Sequence, residues 1–151
     1  MYRFALALLL SLPTLCLAAA PLPFSGEDLS GTYSCTGHDA ADGDYQATVT
    51  LTMSLAQSTG THGDYTLKME VPGDGIYLGS VVANGDNFAI TFTPTAPGSK
   101  DYGTGLGTVS SNTRGQIVLS KFYYEPEYRG GDHGTEDCVR QLQTTARATL
   151  Q

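Results

Sequence analysis

The chain has 151 residues, with 15 acidic and 8 basic side chains, a formal charge of −7 and no tryptophan. This length suits one domain with a single core. So acidic a chain repels phosphate backbones and anionic lipid heads, which argues against nucleic-acid and membrane-surface roles and admits a cationic partner.

The first element is an expected export signal over residues 1–20. Arg3 supplies a positive n-region, Phe4 to Leu10 an apolar h-region, Ser11 and Pro13 a break, and Ala18-Ala19-Ala20 small residues for a peptidase. The apolar run is short for a bilayer span and no stop-transfer pattern follows it, so a cleaved signal is the reading and not an anchor. Cys16 follows Leu15, a poor context for lipidation. Removing Arg3 with the signal makes the remaining domain, 21–151, one charge more negative. It also leaves two cysteines, Cys35 and Cys138, near the ends of that domain. An even count in an exported chain predicts a disulfide between them and a periplasmic or secreted location.

The spacing then predicts strands. A first one, Gly31 to Thr36, carries Cys35. Tyr45, Ala47, Val49, Leu51, Met53 and Leu55 alternate with Gln46, Thr48, Thr50, Thr52 and Ser54, the period-two pattern of a half-buried antiparallel strand. After the turn-forming run Gln57 to Gly63, Tyr65, Leu67, Met69 and Val71 resume the pattern and complete a hairpin. Pro72-Gly73-Asp74-Gly75 turns into Ile76 to Val82, and Asn84-Gly85 marks a tight hairpin into Phe88 to Thr93. Pro94 to Asp101 reads as a loop and Tyr102 to Ser110 as a glycine-rich strand. Gly103, Gly105 and Gly107 share one face of it, a sign of a bend or a close approach. Gln116 to Tyr124 is the last long strand, and Glu136 to Gln141 a short final one carrying Cys138. No segment between Leu29 and Leu142 has helical periodicity. The fold class is therefore all-β, about eight antiparallel strands in an up-and-down meander closed as a small barrel, with a β-sandwich as the alternative. Closure makes the first and last strands neighbours, so the Cys35–Cys138 bridge would fasten the seam.

Leu29-Ser30-Gly31-Thr32-Tyr33 resembles the Gly-x-aromatic opening of lipocalin and avidin-type (calycin) barrels, with tyrosine where those families carry tryptophan. The resemblance implies an up-and-down barrel that holds a small apolar ligand. Tyr33-Ser34-Cys35, the acidic charge and the second cysteine near the C-terminus are similar to periplasmic lysozyme-inhibitor barrels, although the inhibitor loop motif is missing.

The stretch Lys121 to Glu136 holds the candidate binding residues: Tyr123, Tyr124, Glu125, Glu127, Tyr128 and Arg129. Tyrosines and an arginine on a loop stiffened by Pro126 make good contact material, and consecutive Phe122, Tyr123 and Tyr124 require at least one ring to face away from the core. His38, His62 and His133 each have an aspartate nearby, but no spacing brings three ligands together, so no metal site is read. Asp39 to Asp44 lacks the calcium-loop pattern and reads as a tight hydrated turn. Glu125 and Glu127 could pair as glycosidase carboxylates, against which Pro126 argues. With no nucleophile elbow and no free cysteine, the sequence assigns no catalytic residue and no cofactor. The expectation is an exported, non-enzymatic binding protein. It would hold a small apolar molecule in the barrel or grip a protein, cationic if its charge complements this one, through its loops. An inhibitor or immunity protein against a cell-wall hydrolase or toxin is the alternative, and a hydrolase with an unrecognised site the third reading.

Overall fold

The computed structural model describes residues 20–142, so the expected export signal lies outside the described residues except for Ala20. Eight strands follow one another: β1 (Gly31–Asp39), β2 (Gly43–Met53), β3 (His62–Val71), β4 (Gly75–Asn84), β5 (Asn87–Pro94), β6 (Gly103–Ser111), β7 (Ile117–Glu125) and β8 (Asp132–Arg140). Each pairs antiparallel with the next, and β8 pairs back on β1 to close the barrel. No α-helix occurs among the described residues, only one-turn 3₁₀ segments at Leu55–Gln57 and Tyr128–Gly130. None of their helices is long and apolar enough to cross a membrane.

The register explains the seam. Cys35 and Cys138 are direct partners across β1 and β8, with Cα atoms 4.0 Å apart, and they are bridged. Both are buried on the inner face.

Period-two alternation puts Val49, Leu51, Leu67, Met69, Val81, Phe88, Ile90, Phe92 and Leu119 inside, while Thr52, Thr66, Lys68 and Glu70 face out. One exception is Leu55. The strand ends at Met53 and the chain turns in 3₁₀ conformation, leaving Leu55 69% exposed. The β6 glycines do mark a close approach. A Cβ at Gly107 would sit 2.3 Å from the ring of Phe88, and one at Gly103 2.7 Å from the ring of Phe92. The β5 aromatic rings take the volume that the β6 side chains vacate.

The two barrel ends differ. At one, the segment before β1 folds over the opening: Leu29 is 1% exposed, the Tyr33 hydroxyl donates to its carbonyl at 2.8 Å, and the Tyr65 hydroxyl donates to the carbonyl of Glu27 at 3.2 Å. Apolar residues and this plug close that end. The other end is ringed by the β1–β2, β3–β4, β5–β6 and β7–β8 connections and stays open. There β1 runs three residues beyond its expected end at Thr36, and β8 begins at Asp132 and not Glu136. The extra turns of strand carry polar residues inward, so apolar alternation could not reveal them.

Candidate functional site: an acidic, tyrosine-lined barrel mouth

The open end holds a cavity of about 410 Å³. Met69, Val71 and Phe92 form its apolar floor, Tyr45, Tyr77, Tyr123 and Tyr128 its aromatic wall, and Asp39, Asp42, Asp74, Asp101 and Glu125 supply carboxylates. The volume falls in the range of small-molecule pockets. Phe92 stands at the centre of an aromatic row, edge-on to Tyr77 at 6.1 Å and to Tyr123 at 5.6 Å between ring centroids.

Small residues make room for this wall. Gly37 is the cross-strand partner of Tyr45, and Gly134 that of Tyr123. A Cβ at either glycine would come within 2.3 Å of the facing tyrosine. Each ring therefore lies flat across the neighbouring strand and its hydroxyl reaches a carboxylate. Tyr123 donates to Asp39 at 3.1 Å and Tyr45 to Glu136 at 3.2 Å, while the Tyr77 hydroxyl bonds both Asp74 and Asp101. Burial first, and these carboxylate neighbours second, push the Tyr45 and Tyr77 phenols up; for Tyr123 burial leads and Asp39 adds to it. These hydroxyls remain neutral donors across the ordinary pH range.

Beneath the cavity wall lies a buried ion pair. Lys121 and Glu136 are cross-strand partners on β7 and β8, with side chains 6% and 0% exposed, and the ammonium bonds the carboxylate directly. Glu125 has no such cation. Burial, a hydrogen bond shared with Asp101, and the charges of Asp101, Asp39 and Asp132 push its carboxyl up to about 9.

The sequence candidates divide across the barrel wall. Tyr123 and Glu125 point inward and are buried, whereas Tyr124 points outward, half exposed. Glu127 does not pair with Glu125; it lies outside, accepting from Tyr102 at 2.5 Å and bridged to Lys100 at 3.2 Å, contacts that lower its carboxyl. Tyr128 and Arg129 reach over the mouth to the β1–β2 turn. The Tyr128 hydroxyl donates to Asp42 at 2.7 Å, the Arg129 guanidinium donates to Asp42 at 2.5 Å, and that guanidinium sits 5.2 Å from the Tyr128 ring centre. Arg129 adopts φ +46°, a backbone conformation rare outside glycine.

The Asp39 to Asp44 stretch is a tight hairpin turn, with Asp39 Oδ1 accepting from the N–H groups of Ala41 and Asp42. His38 is exposed and pairs with Asp44 at 2.7 Å, and His62 belongs to the opposite end of the barrel. Among the described residues the histidines build no shared cluster. Sequence reasoning missed Tyr45, Tyr77, Asp74, Asp101, Asp132, Lys121 and Glu136 as members of one site. The available signal was polar residues continuing the inward phase of β7 and β8: Lys121, Tyr123 and Glu125, then Asp132, Gly134 and Glu136.

The fold and site together define a closed antiparallel barrel with one plugged end and one acidic, tyrosine-lined mouth. No protein-family model, curated protein or solved structure matches the chain.

Proposed function

We propose that this is an exported binding protein, without catalytic activity, whose barrel mouth holds a small organic cation with an apolar body. The observation that carries the reading is the mouth cavity, which combines an apolar floor with facing carboxylates and tyrosine rings. An ammonium group placed near Asp74 and Asp101 would meet two carboxylates already oriented by Tyr77, with phenol faces available for cation–π contact. A neutral apolar ligand would desolvate those carboxylates without return. Export is supported by the signal-like first 20 residues and by the disulfide, which fits an oxidising compartment.

The test is calorimetric titration with 2-phenylethylamine against phenylacetate, which share a ring and differ in the sign of charge. The amine should bind, more weakly at high salt, and Asp101→Asn should weaken it at least tenfold. Equal binding of the carboxylate, or no binding of the amine, overturns the reading.

A protein partner is the second reading. It is favoured by an apolar patch on the outer wall, where cross-strand partners Leu106 and Phe122 are 71% and 50% exposed beside Tyr124 at 46%. Capture from an envelope fraction that survives Asp101→Asn but is lost in Phe122→Ser would favour that surface over the mouth.

A further inference from the structure

Asp39, Glu125 and Asp132 come from the end of β1, the end of β7 and the start of β8, and the closed barrel brings them together. Glu125 and Asp132 are cross-strand partners, and one carboxylate oxygen from each of the three residues lies within 4.8 Å of the others. Their exposures are 7%, 4% and 4%. Asp39 is oriented by the backbone N–H groups of Ala41 and Asp42 on one oxygen and by the Tyr123 hydroxyl on the other. Asp132 Oδ1 accepts from the N–H of His133 at 2.7 Å, but Oδ2 is buried with no hydrogen-bond partner. An orphaned carboxylate oxygen inside a barrel wall is costly unless something fills the position. The basic side chains lining the same cavity are engaged elsewhere, Lys121 with Glu136 and Arg129 with Asp42.

We propose that Asp39, Glu125 and Asp132 form a calcium-binding site at the mouth of the barrel. The donor set is all carboxylate oxygen, which selects a hard cation over zinc or copper. Calcium accepts irregular sets of six to eight oxygens, whereas magnesium demands near-octahedral geometry and sheds water reluctantly. The adjoining cavity supplies an entry path and room for waters that complete the coordination. The three ligands differ from Asp74 and Asp101, which would engage the organic ligand on the Tyr77 side of the same cavity, and the shared hydrogen bond between Asp101 and Glu125 couples the two sites.

The protein, stripped with EDTA, is titrated with CaCl2 or MgCl2 at constant ionic strength. Melting temperature and competition against a fluorescent calcium chelator are both read. One calcium per chain should bind at or below millimolar concentration and raise the melting temperature by several degrees, with magnesium at least tenfold weaker. Asp132→Asn should weaken calcium at least tenfold while its EDTA-state melting temperature equals or exceeds that of the parent. Glu125→Gln provides a second variant, with the same loss expected, should Asp132→Asn fold poorly. The proposal fails if the parent takes up no calcium at millimolar concentration, if magnesium binds equally, or if a folded variant retains parental affinity.

Discussion

Replacing Lys121 by methionine tests whether the barrel interior beneath the mouth depends on charge compensation. Methionine keeps most of the apolar stem and removes the ammonium, so the loss reads on the ion pair more than on packing. Glu136, whose side chain is fully buried, would then keep only the Tyr45 hydroxyl at 3.2 Å as a donor. Breaking a buried pair by removing one partner costs about 3–5 kcal/mol, because an uncompensated charge stays behind. Removing both charges should cost much less. Lys121→Met/Glu136→Gln leaves an amide that still accepts from Tyr45, so the double variant should recover about 2 kcal/mol or more of the single-variant loss. Urea unfolding of the parent, both singles and the double, followed by far-ultraviolet circular dichroism at neutral pH in EDTA, closes the cycle. A Lys121→Met cost below about 1 kcal/mol with zero coupling would refute the reasoning, since exposed pairs behave that way.

Cys35→Ser with Cys138→Ser should lower unfolding free energy by about 2–5 kcal/mol, as expected for a bridge spanning 103 residues, checked by urea titration against the oxidised parent. Tyr123→Ala should cost about 3–5 kcal/mol, whereas outward-facing Tyr124→Ala should change stability by no more than about 0.5 kcal/mol; equal losses would contradict the assigned orientations. Alkaline titration followed by tyrosinate absorbance should show the buried phenols silent until unfolding. Burial pushes Tyr33 up to about 12 from an unfolded value of 10.0, so its contribution is fully present below pH 10 and is lost as pH rises from 10 to 12. Reversible ionisation of every tyrosine near pH 10 in the folded protein would contradict this.

Hydrophobic alternation, apolar runs and turn residues together were enough to indicate about eight strands, their hairpins and, Leu55 apart, the inward phase of the long alternating strands, because the pleat enforces a period of two wherever one face is dry. Two cysteines at the ends of a meander likewise implied a seam, since closure makes the first and last strands adjacent. The mouth was not legible in the same way. At that end of the barrel the inward positions include Asp39, Lys121, Glu125, Asp132 and Glu136, which in a one-dimensional pattern are indistinguishable from turn and surface residues. Within the loop stretch that composition did single out, pleat phase decided that Tyr123 and Glu125 enter the barrel while Tyr124 stays outside, and Glu127 lies beyond the strand end. What only the tertiary structure decided is the meeting of Asp39 with Glu125 and Asp132, some 90 residues away along the chain. That meeting depends on β8 returning beside β1, a long-range closure that no local preference encodes.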